Sequence, residues 1–474
     1  MTKTPQELAE ALRLLQPDLH VSGPDALAGR DPGEHAKNLD AGVMASPSST
    51  EAAAALIRWC NEQDVVIVPQ GGRTGLAGGC ESRPGDVILS SARLNAIEAI
   101  NVEERTAVVQ AGVGLQALQE AAAIHGLTPG IDLPSRGTAT LGGMASTNAG
   151  GLLAFRNGVM RHQILGIEAI LPDGSVFSDM TRVVKVSAGP DLKHLLIGAE
   201  GALGFITRLV VKLEPLRPFR ATTMLGVNNA ASALAVAAHL IRAPGLTLEA
   251  AEMMWPLFIR DHARIRNFDL SWLPEDASAF IVEVSAISEE AAISGLEEAL
   301  ADIWEAQDLQ GGIVAQSLDQ ARRFWVLREE SGFYYDIFKN PISLDVSLPP
   351  AALDAYVAGL RQRLYALNAD YHAYVYGHIA DGNLHLTVAR DRPQDEAEVL
   401  RIEDAVYTGI REAGGSFSAE HGVGFEKRHG YENYSDPVKR ALAISIKRML
   451  DPKGLFNPGK VPFAEVYGRR PSNP

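Results

Sequence analysis

The sequence predicts an α+β protein with two or more domains, and three observations lead to this prediction. The chain has 474 residues, which is more than one hydrophobic core usually supports. Its first half alternates short helices and strands around two glycine-rich stretches. Its second half consists of strand–helix pairs, which are typical of an antiparallel sheet with helices on one face. We therefore expect a first domain over residues 1–217, a second over residues 218–420, and a C-terminal segment over residues 421–474.

Composition and charge exclude several classes of protein. The chain carries 43 Lys and Arg against 58 Asp and Glu, and its net charge of −15 argues against a general binder of nucleic acid or anionic membranes. The two cysteines, Cys60 and Cys80, are too few for a disulfide scaffold, an all-cysteine zinc site or a cysteine-ligated iron–sulfur cluster. No apolar run approaches the ~18 residues of a membrane span. Residues 1–15 read as a soluble amphipathic helix rather than an export signal, so we expect a cytoplasmic location.

Caps, turn residues and apolar runs predict the individual elements. Ser48 and Glu51 have the spacing of a capping box before a helix. Pro172-Asp173-Gly174 lies between two apolar runs and predicts a hairpin. The expected strands cover residues 65–68, 86–90, 106–111, 164–171, 175–178, 209–213, 222–227 and 279–284, and further strand–helix pairs begin at Ile313 and Ile342. The expected helices cover residues 1–15, 52–61, 115–125, 230–241 and 289–303, and a last helix ends at Asp451.

The first glycine-rich stretch, residues 69–79, directly follows a buried strand. Its glycines allow successive backbone N–H groups to turn towards one point, which makes an anion-binding nest. Arg73 and Thr74 add donors suited to phosphate. No helix is expected after this loop, so it is neither a Walker nor a Rossmann loop. We predict that the loop binds phosphate; the alternative is a flexible hairpin turn.

Two further stretches also bear on cofactor binding. Residues 141–151 are too polar and glycine-rich for a core element and too free of charge for a solvated loop, so we expect their backbone to lie against a large flat ligand. Residues 112–117 match the pattern GxGxxA of a dinucleotide-binding turn. The following stretch, residues 127–134, is not a clear strand and does not supply the acidic residue of that motif. An ordinary strand-to-helix turn is therefore the simpler interpretation, and a nicotinamide-dependent dehydrogenase is the alternative.

A histidine pair predicts a metal site in the second half. His378 and His385 bracket a segment that contains Asp381-Gly382, a favoured two-residue turn. If that turn forms, the two histidines pair directly across a ladder, with Cβ atoms ~5 Å apart on one face. Glu420 offers a carboxylate as a third ligand. This cluster alone would also suit a metal-dependent hydrolase or binding protein, and two structural histidines near a turn are a further interpretation.

Six motifs in order resemble one family along nearly the whole chain. That family is the flavin-linked 2-hydroxy-acid dehydrogenases of the vanillyl-alcohol-oxidase fold, which includes D-lactate dehydrogenases, D-2-hydroxyglutarate dehydrogenases and the glycolate oxidase flavin subunit. The motifs occupy residues 69–76, 139–151, 198–207, 377–385, 420–424 and 455–460. The resemblance implies a two-subdomain FAD-binding domain of the PCMH type over residues 1–217. It also implies a substrate or cap domain over residues 218–420 and a C-terminal segment that returns to the flavin.

The resemblance further implies the residues that bind FAD. Some relatives tether FAD through a histidine in the first loop, and residues 69–80 contain no histidine, so non-covalent FAD is expected. The implied cofactor residues are Pro69, Gly71, Gly72, Arg73, Thr74, Gly75, Leu76, Gly78, Pro134, Thr140, Gly142, Gly143, Ser146, Thr147, Asn148, Gly150, Gly151, Glu200, Gly201, Gly204, Ile206 and Asn457.

The same resemblance assigns the chemical roles. His378, His385 and Glu420 take the positions of the metal ligands, usually for zinc or manganese. His421 takes the position of the proton-abstracting base, and Arg328 that of the group that grips the substrate carboxylate. A 2-hydroxy acid would chelate the metal, lose its hydroxyl proton to the base and pass the C2 hydride to flavin N5.

The substrate and partners are less sharply implied. Enzymes for 2-hydroxyglutarate typically carry Lys, Thr and Asn where this chain has Ser343, Gly332 and Thr387, and those groups help to hold the distal carboxylate. Lys339 could supply the missing charge from another direction. D-2-hydroxyglutarate and a D-lactate-like acid therefore both remain as expected substrates. The electron acceptor is expected to be a quinone, an electron-transfer flavoprotein or a cytochrome, and a homodimer is possible for such a protein.

Overall fold

The computed structural model describes residues 3–460 and divides the chain into two compact units. Unit 1 comprises Met1–Leu216 and Glu420–Pro474, and unit 2 comprises Arg217–Ala419. Each boundary lies one residue before the one expected from the sequence. The described part of the chain contains no helix long and apolar enough to cross a membrane.

The strands and helices are numbered in chain order. The strands are β1 Leu19–Ser22, β2 Met44–Pro47, β3 Ile67–Gln70, β4 Val87–Ser90, β5 Ile97–Asn101, β6 Thr106–Gln110, β7 Leu127–Pro129, β8 Ile164–Ile170, β9 Val176–Asp179, β10 Phe205–Pro215, β11 Arg220–Val227, β12 Thr247–Met254, β13 Ser278–Ser285, β14 Gly312–Val314, β15 Ile342–Ser347, β16 His372–His378 and β17 Asn383–Ala389. The helices are α1 Pro5–Arg13, α2 Pro24–Leu27, α3 Thr50–Glu62, α4 Leu115–Ala123, α5 Leu141–Thr147, α6 Ala154–Asn157, α7 Met160–Gln163, α8 Ala230–Arg242, α9 Pro256–Ile265, α10 Glu289–Ile303, α11 Leu318–Glu329, α12 Tyr334–Ile337, α13 Leu353–Leu367, α14 Glu396–Tyr407, α15 Arg428–Tyr434 and α16 Pro437–Leu450. Short 3₁₀ turns cover Ala36–Leu39, Leu192–Leu195, Ser331–Phe333 and Pro350–Ala352.

Unit 1 is built on two sheets within the described residues. The first has the order β1-β2-β4-β3, in which β2, β4 and β3 are parallel and β1 is antiparallel. The second has the order β5-β6-β10-β8-β9, is antiparallel, and has β7 paired with one end of β10. The hairpin predicted around Pro172-Asp173-Gly174 is confirmed, because β8 and β9 pair with Ile170 opposite Val176.

Two local predictions in unit 1 are wrong. Helix α3 is capped by Ser49, whose hydroxyl accepts the Ala52 N–H at 3.1 Å, and not by Ser48, whose hydroxyl donates to the Asp18 carbonyl. Residues 127–129 form the short strand β7, although no clear strand was expected there. Ser48 and Ser49 are adjacent and chemically alike, so local pattern alone does not select the cap. Strand β7 is only three residues long and pairs with Leu213–Pro215, which lie far along the chain.

The GxGxxA segment is a strand-to-helix turn between β6 and α4. The Gly112 N–H donates to the Leu94 carbonyl at 2.7 Å, and a Cβ atom on Gly112 would overlap the Ser91 carbonyl. Strand β6 belongs to the antiparallel sheet, so the parallel βαβ unit of a dinucleotide-binding fold is not formed here. Close backbone packing explains the glycine without a nicotinamide cofactor.

The expectation that residues 141–151 avoid the core is wrong for their first half. Residues 141–147 form α5, and Leu141, Met144 and Ala145 are buried in the core that lies against β10. The polar residues are accommodated because the Ser146 and Thr147 hydroxyls donate to carbonyls one turn earlier in the same helix. A helix with a small, polar outer face is thus compatible with an apolar inner face.

Unit 2 is built on one large antiparallel sheet within the described residues. Its order is β14-β11-β13-β12-β16-β17-β15. Helices α9 and α11 pack on one face, over an aromatic cluster that includes Phe258, Phe324 and Tyr374. The opposite face of β13 carries Phe280 and Val282, which are also buried, and α8 and α10 pack against these strands. The prediction of helices on one face only is therefore wrong for the central strands.

The hairpin β16–β17 has a different register from the predicted one. His378 pairs with Asn383, and His385 pairs with Tyr376, so the two histidines are not directly opposite each other. The connection is a four-residue loop, Ile379–Gly382, closed by a hydrogen bond from the Gly382 N–H to the His378 carbonyl at 3.1 Å. A shift of two residues keeps both side chains on one face, because side chains alternate with a period of two.

Candidate active site

The first glycine-rich loop of unit 1 lies against the residues that lead into α5. A Cβ atom on Gly71 would overlap the Thr140 hydroxyl, and one on Gly72 would overlap the Thr138 carbonyl. Thr140 also caps α5, because its hydroxyl accepts the Gly143 N–H at 3.3 Å. The two predicted cofactor stretches therefore meet backbone to backbone, which only glycine permits at these positions.

Arg73 and Gly75 form the open part of this loop. Arg73 has a φ of 58°, and its buried Nε makes no hydrogen bond within residues 3–460. One terminal nitrogen donates to the Asp31 carbonyl at 3.4 Å, and burial lowers the pKa of the guanidinium. In the described part of the chain, no heavy atom outside the adjoining residues lies within 4 Å of the place where a Cβ of Gly75 would stand. The loop thus offers an unsatisfied cationic donor and free space, which suit a bound anion.

Glu200 connects the third cofactor stretch to the C-terminal part of unit 1. Its carboxylate accepts the backbone N–H groups of Val423 and Gly424, each at 2.7 Å. Burial raises the pKa of Glu200 to about 7, although these two hydrogen bonds and two lysines act in the opposite direction. The side chain of Asn457 donates to the carbonyls of Glu200 and Gly79, at 2.8 and 3.1 Å. Four segments far apart in sequence are therefore joined by partly buried polar contacts.

Glu420 and His421 lie just before the segment that Glu200 holds. The Glu420 carboxylate accepts the Gly151 N–H at 3.2 Å, and its other oxygen is 3.6 Å from Nε2 of His421. Neighbouring side chains on a regular strand would point in opposite directions. Here Gly422 and Gly424 have φ values of 77° and 50°, and the irregular backbone leaves both side chains in one region of unit 1.

In unit 2, one buried carboxylate joins two predicted functional side chains. Oε1 of Glu252 is 2.7 Å from Nδ1 of His378, and Oε2 accepts Nε–H of Arg328 at 2.7 Å. The Glu252 side chain is 1% exposed. Burial alone would raise the pKa of Glu252, but His378 and Arg328 outweigh it and hold the pKa below its ordinary value. Glu252 is therefore a carboxylate that accepts a hydrogen bond from each partner.

Aromatic rings support this cluster from the same face of the sheet. The guanidinium of Arg328 lies 4.8 Å from the ring centroid of Tyr376, and the ring of His385 lies 5.0 Å from it. The centroids of the His378 and His385 rings are 5.3 Å apart. The Tyr376 hydroxyl donates to Ser331 at 2.9 Å. The cation and both imidazoles are thus oriented by packing and not only by hydrogen bonds.

The residues that the resemblance implies as contacts of the substrate's side chain lie further along this face of the sheet. Ser343 and Thr387 are paired across β15 and β17, and their hydroxyls are 3.1 Å apart. The hydroxyl of the exposed Tyr335 lies 3.0 Å from Ser343. Lys339 is exposed, and the Cβ position of Gly332 lies 3.9 Å from Cδ2 of Tyr335. Ser343 and Tyr335 thus contribute neutral hydroxyls on this side of Thr387.

Two family profiles and several relatives match the chain. Residues 41–179 match the FAD binding domain, and residues 216–461 match the FAD linked oxidases, C-terminal domain. D-2-hydroxyglutarate dehydrogenase from Xanthomonas citri pv. viticola is 33% identical over 88% of this chain and 89% of its own. The enzyme of that name from Stutzerimonas stutzeri is 32% identical over 96% and 99%, and the mitochondrial one from Danio rerio is 31% identical over 97% and 86%.

The chain belongs to the FAD-linked 2-hydroxy-acid dehydrogenase family. It is an FAD-dependent hydroxy-acid dehydrogenase. Solved structures agree on the fold. p-Cresol methylhydroxylase has a TM-score of 0.71 at 16% identity over 96% of each chain, and 4-ethylphenol oxidase from Gulosibacter chungangensis has a TM-score of 0.68 at 19% identity over 96% and 97%. The predicted PCMH-type FAD-binding fold with a second, antiparallel-sheet domain is confirmed.

The cofactor residues expected in this dehydrogenase fall into two groups. The residues of the two glycine-rich stretches meet as described above. Gly201 lies against Pro69, and a Cβ atom on Gly201 would stand 3.0 Å from the proline ring. Gly204 and Ile206 belong to the packed core around β10, so only their backbone can serve a ligand. The Glu200 carboxylate is committed to the 423–424 backbone. Leu76 is exposed, whereas Gly78 is buried and its Cβ position lies 3.4 Å from Cβ of Phe425.

Sequence reasoning missed Glu252 and the strand that carries it. The stretch Thr247–Met254 contains two glutamates among apolar residues, and it was not predicted as a strand. The available signal was an acidic residue in an otherwise apolar run. Such a residue is expected to be buried, and a buried charge needs a partner. Its partners, Arg328 and His378, are far along the chain, so the sequence offered no local indication of the pairing.

Proposed function

We propose that this dehydrogenase oxidises a D-2-hydroxy acid to the 2-oxo acid, with D-2-hydroxyglutarate as the first candidate substrate. The proposal includes non-covalently bound FAD and a divalent cation, zinc or manganese, held by His378, His385 and Glu420. The single observation that carries it is the Glu252 carboxylate, which joins the implied substrate-binding arginine to an implied metal ligand. The relatives named D-2-hydroxyglutarate dehydrogenase support this choice of substrate.

The donor set suits a metal ion of this kind. Two imidazoles and one carboxylate are a common zinc-binding combination that leaves a position open for substrate. Asp345, which pairs with His385 across the ladder, accepts the Ala419 N–H at 2.9 Å. Glu420 follows Ala419 directly in the chain, so this hydrogen bond anchors the residue before the proposed third ligand. This connection supports the proposed ligand set.

The unsatisfied Arg73 donor and the open space at Gly75 likewise suit the FAD pyrophosphate. When bound, FAD supplies the acceptor for two electrons, and a bound cation supplies a Lewis acid for the substrate hydroxyl. Arg328 would hold the substrate carboxylate through charge-assisted hydrogen bonds. His421 would take the hydroxyl proton as general base.

A D-lactate-like acid is the second candidate substrate, and one observation favours it. Ser343, whose hydroxyl contacts Thr387, and Tyr335, whose hydroxyl contacts Ser343, can accept or donate hydrogen bonds but cannot neutralise a second carboxylate. Lys339, four residues before Ser343, is exposed, and Arg390, three residues after Thr387, is paired with Glu398. A short or neutral side chain on the hydroxy acid would therefore suit these residues better than a carboxylate would.

The electron acceptor, the oligomeric state and the cellular location also stay predictions. A quinone, an electron-transfer flavoprotein or a cytochrome would each accept electrons from reduced flavin, and a homodimer is proposed on the resemblance alone. We propose a cytoplasmic location, whereas the relative from Danio rerio is named mitochondrial.

A substrate panel with and without metal tests the proposed function. The purified enzyme, with a dye as acceptor, is given D- and L-2-hydroxyglutarate and D- and L-lactate before and after treatment with EDTA. We expect turnover of a D-acid only, loss of turnover on chelation while the flavin spectrum persists, and recovery on adding Zn²⁺ or Mn²⁺. Full activity in metal-free enzyme would refute the metal-assisted reaction, and activity with L-acids alone would refute the assigned stereochemistry.

A further inference from the structure

Resting on the proposed function, we propose that Glu252 is a positioning residue that prepares His378 for metal binding and Arg328 for substrate binding. Glu252 is not among the residues that the family resemblance implies. Its two carboxylate oxygens serve different partners, and both partners belong to the implied reaction machinery. One buried side chain would thus set the geometry of the metal and of the substrate carboxylate together.

The backbone of the sheet brings Glu252 to His378. Strands β12 and β16 are antiparallel neighbours, and Glu252 is directly opposite His378 in their register. Directly paired residues have Cβ atoms about 5 Å apart, which is within reach of one hydrogen bond between a glutamate and a histidine. Helix α11 brings Arg328 to the second oxygen near its last turn. The contact therefore follows from strand pairing and not from a surface side chain that could rotate away.

The contact to His378 fixes which ring nitrogen can bind a metal. An ionised carboxylate only accepts hydrogen bonds, so Nδ1 of His378 must carry the proton. The neutral imidazole then keeps a lone pair on Nε2, which is the form that ligates a metal ion. Carboxylates that hold ligating histidines in this manner orient the ring and raise its basicity.

The contact to Arg328 directs the rest of its guanidinium. Arg328 uses Nε for Glu252, and within the described residues it makes no hydrogen bond through its two terminal nitrogens. The Tyr376 ring packs against the guanidinium at 4.8 Å and limits its rotation. Terminal nitrogens held in one plane can bind a carboxylate through two parallel hydrogen bonds. Glu252 would thus orient this fork towards the substrate.

Substitution by glutamine separates this role from a general contribution to folding. Both partners of Glu252 are donors, whereas an amide offers one acceptor and one donor. Arginine cannot give up its proton, but histidine can move its proton from Nδ1 to Nε2. In Glu252→Gln the amide oxygen would therefore serve Arg328, the NH₂ group would face Nδ1, and the proton on Nε2 would block the metal.

The experiment measures zinc affinity by competition with a chromophoric chelator, using the full-length FAD-loaded enzyme. For Glu252→Gln we expect roughly 10- to 100-fold weaker zinc binding, with KM at saturating zinc changed far less. The matched control is Glu249→Gln: Glu249 is on the same strand, is 3% exposed and accepts a hydrogen bond from Ser285. The control should bind zinc as the wild type does. FAD content and circular dichroism confirm that both variants are folded.

A second variant addresses the arginine. Glu252→Leu removes both acceptors, so the KM for the hydroxy acid should rise together with the loss of zinc affinity. Wild-type zinc affinity in Glu252→Gln, or an equal loss in Glu249→Gln, would overturn the proposal. These outcomes differ from failure of the proposed function, in which the wild-type enzyme itself would neither bind nor need a divalent cation.

Discussion

The glycines in the first loop of the flavin domain lack a side chain for two different structural reasons. Gly71 and Gly72 lie against the Thr140 hydroxyl and the Thr138 carbonyl, so their lack of a side chain serves the packing of protein on protein. Gly75 faces open space instead. A substitution at Gly72 therefore disturbs the loop itself, whereas one at Gly75 reports on what the loop binds.

We expect Gly75→Val to lower FAD affinity about tenfold or more, equivalent to about 1.4 kcal/mol, without lowering the thermal stability of the apo-protein. The added side chain would enter the space assigned to the cofactor, and its Cβ would have no described heavy atom within 4 Å outside the adjoining residues. The measurement is FAD titration of apo-protein, with Gly72→Val as the contrasting variant that should lower stability. Unchanged FAD affinity in Gly75→Val would contradict the assignment of this loop.

Glu420 and His421 are neighbours with different implied roles. Glu420→Ala should lower metal content and rate together, because it removes a proposed ligand. His421→Ala should keep metal and FAD and lose roughly 10²- to 10⁴-fold in kcat, which is the usual effect of removing a positioned general base. Metal analysis and steady-state kinetics separate the two. Loss of metal in His421→Ala, with normal rate after reconstitution, would mean that the roles are exchanged.

At the scale of the element, the loop of the hairpin β16–β17 contains one residue with a left-handed backbone conformation. Gly382 has a φ of 80°, and a Cβ atom there would overlap the Leu348 carbonyl. Gly245 has nearly the same φ, 78°, but has no heavy atom within 4 Å of its Cβ position among the described residues. The two positions therefore share the conformational cost of a side chain and differ in the steric clash.

Gly382→Ala should be more destabilising than Gly245→Ala, which carries only the cost of a left-handed alanine, about 1 kcal/mol. The variant should also bind zinc more weakly, because displacement of the loop moves His378 and His385. Scanning calorimetry and zinc titration of both variants test this. Equal effects of the two substitutions would show that the loop does not set the geometry of the histidines.

The clamp between Glu200 and residues 423–424 predicts a pH dependence of stability. The folded-state pKa of Glu200 is raised to about 7 from an ordinary value of 4.5. The native state therefore holds this proton more tightly, so its contribution to stability is fully present below pH 4.5 and is lost as the pH rises through 7. The loss is on the order of 3 kcal/mol.

Glu200→Gln, which has no titrating group, should lack this decline. The measurement is the free energy of unfolding of wild type and variant at intervals between pH 4 and pH 8, on FAD-loaded protein. Parallel curves over this range would contradict the assignment of the decline to Glu200.

At the level of the whole molecule, the sequence predicted most features that depend on local chemistry. The glycine-rich loops and the 164–179 hairpin follow from turn residues and apolar runs, and six motifs indicated the family. Long-range features were missed. The register of β16–β17 depends on a loop closed against Leu348, and the burial of Glu252 depends on Arg328 and His378. Local patterns do not contain these partners.

Anaerobic mixing of the enzyme with D-2-hydroxyglutarate tests most directly whether metal, base and flavin act in one reaction. The loss of visible flavin absorbance is followed in single turnover, with zinc-loaded and metal-stripped enzyme and with substrate carrying hydrogen or deuterium at C2. We expect rapid bleaching only in the zinc-loaded enzyme, slowed by deuterium, and recovery of the stripped enzyme on adding zinc. Equally fast bleaching of the metal-stripped enzyme would contradict the metal-assisted oxidation proposed for this family member.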